Sequence, residues 1–389
     1  MPEPTPLAAG GLWVGLLRLA HLDDSSPRGL RRRVLVVALL AWLPLLLLAA
    51  ADGQLIGGAD VPFLRDLETH VRLLIVIPLL LAAEVEARAF LPKVVQEFPL
   101  RGLVPAAALP RYEAAVGAGQ RLRDSAWAEA ALVVLVYGVF VNVVWAQYGS
   151  LYASTWYSTR SATGNVLSTA GWWYVLVSLP LVQFLLLRWY LWIVVWARFL
   201  WQVSRIRLSL IPTHPDRSGG LGFLESSGHI FLMVAVAHGA LAAGPIASLI
   251  VFRGAALPEF AGELMMVVVW MVFVIHGPAL FFSGHLISAK KTGLFAFGRL
   301  AQRYVRDFDG KWLAGRAPPA DETLIGSADI QSLADLGNAY GNVAGLRLAP
   351  MSYVAVVRLA AVTLLPVAPL LLTMVPFDEL ALKLFSIVL

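Results

Sequence analysis

Apolar runs long enough to cross a bilayer constrain this chain more than any other feature. About 20 predominantly apolar residues in a helix span the roughly 30 Å of hydrocarbon. Seven stretches reach or approach that length: 34–52, 70–91, 127–148, 172–197, 229–252, 262–287 and 352–376. The composition agrees. The 389 residues are 59% hydrophobic and 14% charged, against about 25% charged in an ordinary soluble domain. So few charges cannot cover a surface that faces water, and a surface that faces lipid needs none. The expected fold is all-α: an integral membrane bundle of about seven transmembrane helices with cytoplasmic helical extensions. The second run is the least regular, because its apolar core from Leu73 to Ala83 is followed at once by Glu84, Glu86 and Arg88.

Basic residues set the expected orientation, since Lys and Arg concentrate on the cytoplasmic side of membrane spans. Arg28, Arg31, Arg32 and Arg33 precede the first run. Further basic groups lie at 93–123, 198–217 and 290–347, while the alternate loops carry few. This places the N-terminus inside and the C-terminus outside. The expected organisation is a cytoplasmic segment 1–33, then six spans within 34–287. Those spans enclose a helical cytoplasmic loop at 92–126 and a His-Pro-Asp loop at 205–226. A cytoplasmic helical segment 288–351, a seventh span at 352–376 and an amphipathic surface segment 377–389 complete the chain. The net charge of +5 follows from these flanks and is no sign of nucleic-acid binding. The absence of cysteine excludes disulfides and Cys-ligated metal centres.

Finer expectations follow from local signals. Pro110 suits a helix first turn, and "RYEAAVGAGQRLRDSAWAEAA" reads as one helix running into the third span. "LFAFGRLAQRYVRDF" has an amphipathic pattern, and "APPADETLIG" reads as a linker. "GSADIQSLADLG" reads as a short helix capped by Ser327 and stopped by Gly337. Pro78, Pro180, Pro245, Pro278, Pro366 and Pro369 predict kinks. Trp189, Trp192 and Trp196 approach the inner interface, where aromatic belts form.

Three groups of residues are candidates for function. Charge within a bilayer is costly and marks functional sites. Glu84, Arg88, Arg188 and Arg358 fall at similar depth in the inner half, as the lining of a polar cavity or ion path or as snorkelling arginines with a structurally paired Glu84. His229, His238, His276 and His285 lie on two neighbouring spans. They are weak metal or haem candidates, with interhelical hydrogen bonding as the alternative. His238 and His276 are placed at mid-membrane depth, among the intramembrane polar groups. The loop "THPDRSGGLGFL" is the third. Its backbone N–H groups, with His214 and Arg217 nearby, suit an anion. His214 and Asp216 suit acid–base chemistry. A tight turn in which Asp216 caps and Gly219 and Gly220 bend the chain explains the same residues. Ser226 and Ser227 are placed to cap the following span.

The stretches "HVRLLIVIPLLLAAE" (70–84), "PTHPDRSGGLGFL" (212–224) and "GSADIQSLADLG" (326–337) together resemble a family of uncharacterised bacterial polytopic inner-membrane proteins. The resemblance implies a multi-pass location in the bacterial inner (plasma) membrane and no particular activity. The leading expectation is a channel- or transporter-like conduit gated by the 213–224 loop. A membrane sensor or scaffold with a cytoplasmic partner, and an enzyme acting on a lipid-linked substrate, are the alternatives. No cofactor is expected. The expected partners are the lipid bilayer, an ion or small solute and further copies of the chain.

Overall fold

A computed structural model of the protein describes residues 11–24, 26–140, 155–161, 164–314 and 327–374. They are almost wholly helical. In chain order the main helices are α1 (Leu12–Leu19), α2 (Pro27–Ala51), α3 (67–100), α4 (Leu109–Arg123) and α5 (Ala126–Val139). Then come α6 (Thr169–Ser204), α7 (Phe223–Arg253), α8 (Leu257–Leu313), α9 (Ala328–Ala344) and α10 (Tyr353–Met374). The one sheet among the described residues is a hairpin of β1 (Ser158–Ser161) and β2 (Gly164–Leu167), with Ser158 opposite Leu167. The chain is therefore all-α, and α2, α6, α7, α8 and α10 are each long and apolar enough to cross a membrane. α5 is a shorter apolar helix, and much of the second half of the 127–148 run lies outside the described residues. α3 is long, with Glu84, Glu86 and Arg88 near its middle.

Most of the prolines expected to kink a helix coincide with a change of helix type. A proline removes one i→i−4 hydrogen bond and crowds the preceding turn. One π turn, Arg72–Val76, stands just before Pro78 in α3, and another, Tyr174–Ser178, just before Pro180 in α6. Pro278 opens a 3-10 stretch, Gly277–Phe282, and Pro366 and Pro369 lie in Leu365–Met374, also 3-10. Pro245 differs: it sits within the continuous α-helix Leu232–Arg253 with no such change.

Three boundaries depart from the sequence reading. The helix expected to run into the third span is broken at Asp124–Ser125, where the Ser125 hydroxyl accepts a hydrogen bond from Ala128 N (3.2 Å) and starts a new helix. The sixth run and the amphipathic stretch after it are one continuous α8 of 57 residues. At 1.5 Å per residue it is about 85 Å long, nearly three times the hydrocarbon thickness. Ser327 does cap α9, accepting from Asp329 N (3.1 Å), but α9 passes through Gly337 and ends at Gly345. Tyr340 and Val343 continue the apolar stripe of Leu333 and Leu336 past the glycine, and Val343 is buried. The linker 317–326 and the segment 377–389 lie outside the described residues.

α7 packs against α3, α8 and α10. Its small residues explain how. A Cβ added to Gly239 would lie 1.8 Å from the Thr363 carbonyl oxygen of α10, and one on Gly244 would lie 3.3 Å from Glu68 Cα of α3. Small residues let helix backbones approach closely where no hydrophobic effect drives them together. Trp189, Trp192 and Trp196 turn inward and are buried in the core rather than facing an interface. The Trp189 indole donates to the Leu80 carbonyl (3.0 Å), joining α6 to α3.

Candidate functional site

Glu84, Arg88 and Arg188 come together. Arg188 on α6 is a fork between two helices: Nη1 lies 2.8 Å from Glu84 Oε2 on α3, and Nε donates to Glu129 Oε1 on α5 at 2.8 Å. The second oxygen of each carboxylate is also used. Glu84 Oε1 accepts from Arg88, one turn along α3, at 2.5 Å. Glu129 Oε2 accepts from the Trp13 backbone N–H at 2.8 Å, which caps the start of α1. Asp23 Oδ1 lies 3.8 Å from both Arg88 and Arg33, and its Oδ2 accepts from Arg18 Nε on α1 (3.0 Å). Arg33 donates from Nε to the Leu22 carbonyl (2.9 Å), while its Nη1 is buried without a hydrogen-bond partner among the described residues.

The result is a set of four guanidinium groups and three carboxylates from α1, α2, α3, α5, α6 and the α1–α2 connection, with Arg18 at its exposed edge. Arg33, Glu84 and Glu129 are each 1% exposed and Arg188 5%. The Arg188 guanidinium also lies 5.5 Å from the Trp192 ring, an arrangement favoured by the ring's quadrupole. Charges so deeply buried persist only when paired and hydrogen-bonded. Arg18, Asp23, Arg33 and Glu129 are the members that sequence reasoning missed. Glu129 had a signal, as the one acid in the apolar run "AWAEAALVVL". Arg33 was hidden among the flanking arginines.

Arg358 does not join this set. It donates to His229 Nε2, where α10 meets α7. Beside it, Glu225 accepts from Ser352 (2.7 Å) and Arg347 (3.3 Å). His276 is buried against Gly228, with a cavity of only ≈10 Å³ between α7, α8 and α10.

The other histidines join helices by hydrogen bonds. His238 Nδ1 faces the Val234 carbonyl (2.7 Å), which can only accept, so Nδ1 carries the proton. Nε2 then accepts from the Tyr190 hydroxyl (2.8 Å), which itself accepts from the Trp270 indole (2.9 Å). This chain ties α6, α7 and α8 together with every polar atom in it used. His285 donates from Nε2 to the Ser204 carbonyl (2.6 Å). Among the described residues no three His, Asp or Glu side chains converge as a metal site would require.

The loop 213–224 is closed on itself. Asp216 Oδ1 accepts from Ser218 N (2.8 Å) and Gly220 N (3.2 Å), and Oδ2 from Gly222 N (2.8 Å). His214 Nδ1 lies 2.8 Å from the same carboxylate. The N–H groups that suited an external anion thus already hold an internal one. Burial pushes the Asp216 carboxyl up, but the backbone donors and His214 outweigh it and hold it below the ordinary carboxylate range. The glycines are needed where they stand: Gly219 and Gly220 have φ of +64° and +97°, and a Cβ on Gly222 would lie 2.8 Å from Asp216 Oδ2. Arg217 also has positive φ, +52°, and its carbonyl accepts from Arg347 N (2.8 Å). Ser226 and Ser227 do not cap α7. Their hydroxyls donate back to the carbonyls of Phe223 and Leu224, and Gly222 precedes the helix.

Comparison of the chain with protein-family models, with curated proteins and with solved structures finds no match.

Proposed function

We propose that the chain is a gated conduit for ions or small solutes. It crosses a bacterial inner membrane about seven times, with α3 and α5 as the second and third spans, the N-terminus inside and the C-terminus outside. The membrane is inferred from the resemblance carried by 70–84, 212–224 and 326–337, and the orientation from the basic flanks. One observation carries the functional reading: a network of paired guanidinium and carboxylate groups inside a bundle of apolar helices, with Arg33, Glu84, Glu129 and Arg188 buried to within a few per cent. Ionisable groups at membrane depth are costly and gather where a polar species passes.

With all four oxygens of Glu84 and Glu129 engaged, the arrangement corresponds to a closed gate. Opening exchanges these pairs for water or solute. Among the described residues, Arg33 Nη1 and the indole N–H groups of Trp13 and Trp192 are buried donors without a partner and are available to such a species. The connection carrying Asp23 is the latch. Asp23 is 19% exposed on its side chain, accepts from Arg18 Nε (3.0 Å) and lies 3.8 Å from Arg33 and Arg88, so it ties α1 to the partly exposed edge of the buried pairs.

The test is flux from proteoliposomes. Asp23→Asn loosens the latch without disturbing a fully buried position, and flux rises. Glu84→Gln changes the rate or ion selectivity. Wild-type flux in both variants, shown to be folded by a monodisperse elution profile, removes the network from the mechanism.

A sensor or scaffold reading has its own observation. Beyond the membrane-length part of α8, Phe295, Leu300 and Leu313 are exposed, as are Ile330 and Tyr340 of α9. Exposed apolar side chains outside the membrane favour a protein partner. Capture of one stoichiometric soluble protein, lost on deleting 292–349, would put this reading first.

A further inference from the structure

Resting on the orientation proposed above, we propose that the start of α4, the end of α6 and the middle of α8 form a cytoplasm-side binding site for the phosphate of an anionic glycerophospholipid. Two cavities adjoin there. One, of ≈530 Å³, lies between α6 and α8, walled by Trp201, Ser204, Arg205, Phe281, His285 and Ser288. The other, of ≈330 Å³, lies between α4 and α6 and includes Arg111, Gln202 and again Trp201 and Arg205. Trp201 and Arg205 are therefore the shared wall. The Arg205 guanidinium stacks 5.3 Å from the Trp201 ring centre, which holds its planar donor fork at the mouths of both cavities.

The chemistry of the lining selects the ligand. Arg111 and Arg205 are exposed and have no carboxylate partner among the described residues, and neither cavity has an Asp or Glu in its wall. Ser288 and Gln202 add neutral hydrogen-bonding groups. Guanidinium forks match phosphate oxygens, and such charge-assisted bonds are the strong ones. The walls are held in place independently of any ligand, because His285 on α8 donates to the Ser204 carbonyl at the end of α6 (2.6 Å).

The surroundings favour a lipid over free phosphate. The site sits where α6 leaves its apolar stretch and the chain turns to Arg205, Ile206 and Arg207. Just toward the membrane from it, Val194 on α6 is 57% exposed and Phe281 on α8 43%. A ligand here meets guanidinium groups at one end and bare apolar helix at the other. A phosphodiester headgroup with acyl chains satisfies both, and inorganic phosphate satisfies only the first.

The experiment uses the purified full chain in nanodiscs of phosphatidylcholine with added phosphatidylglycerol, and counts retained lipid by native mass spectrometry. Wild type retains phosphatidylglycerol selectively. The Arg111→Gln/Arg205→Gln double variant loses that selectivity by about tenfold, as expected for losing at least one charge-assisted pair. Arg253→Gln, an exposed cation at the far end of α7, keeps it. Unchanged selectivity in the double variant overturns the site, as does equal loss in Arg253→Gln. Inorganic phosphate supplies the remaining arm. If millimolar phosphate displaces phosphatidylglycerol from wild type, the lipid assignment fails in favour of a free-phosphate site; if it does not, the acyl chains contribute as proposed.

Discussion

Asp216 and Glu84 are both carboxylates held by several hydrogen bonds, but they find their partners at opposite distances along the chain. The backbone donors to Asp216 lie two, four and six residues ahead of it. Glu84 and Glu129 are held from α6 by Arg188, 104 and 59 positions away, and Glu129 also by Trp13, 116 positions away. The first arrangement folds one loop. The second exists only once four helices have assembled, and it holds them in one register. A local carboxylate is thus a device of shape, whereas the shared ones couple separate parts of the molecule.

Substitutions sharpen or break this contrast. The largest effect is expected from Glu84→Gln, which leaves Arg88 and Arg188 short of a buried counter-charge. Such a loss costs about 3–5 kcal/mol, read as a lower denaturation midpoint in detergent, with α3, α5 and α6 losing amide protection together. Arg188→Lys comes next. A single ammonium cannot bridge two carboxylates as the guanidinium fork does, so roughly 2 kcal/mol is lost on the scale of a charged hydrogen bond. Asp216→Asn costs about 1–2 kcal/mol, and its exchange signature is local: the amides of Ser218, Gly220 and Gly222 lose protection while α3 and α6 keep theirs. Global unfolding in Asp216→Asn comparable to that in Glu84→Gln would erase the distinction.

The smallest effect is one of pH. The Asp216 carboxyl is depressed in the folded loop, so the stability it contributes is present above its unfolded value, about 3.9. That contribution is lost as pH falls through the lower folded value. Protection of the three loop amides should therefore persist at pH 5 and fade only below the ordinary carboxylate range. Fading well above that range would assign the loop's closure to a group other than Asp216.

The same difference in range explains what could be read in advance. The apolar runs announced the all-α bundle because span length is a property of consecutive residues. Asp216, followed by Ser218, Gly219, Gly220 and Gly222, could be read as a capped turn for the same reason. Pro78, Pro180 and Pro278 marked changes of helix type because a missing N–H acts within one turn. Arg33, Asp23 and Glu129 stayed hidden, since nothing near them in sequence says which distant charge they meet. Arg358 shared an expected depth with Glu84 but not a side of the bundle, and depth alone does not specify azimuth. Gly337 misled in the other direction: a glycine ends a helix only where the apolar stripe also ends, and Tyr340 and Val343 carry α9 past it.

The continuity of α8 has a mechanical consequence. From Ser283 to Leu313 the helix runs without interruption by proline, and the 3-10 stretch Gly277–Phe282 with Pro278 is the joint within its length. The 31 residues beyond that joint make a lever arm of about 46 Å, for which a tilt of about 10° sweeps the far end by roughly 8 Å. Lys290 near the base of this arm donates to the Leu346 carbonyl, and Gly293 packs on Pro212 and Val343. The arm is thus tied to the 213–224 loop side of the molecule near its base and to α9 near its tip, where Tyr304, Lys311 and Trp312 donate to Asp329, so a tilt of the arm moves the loop side and α9 together.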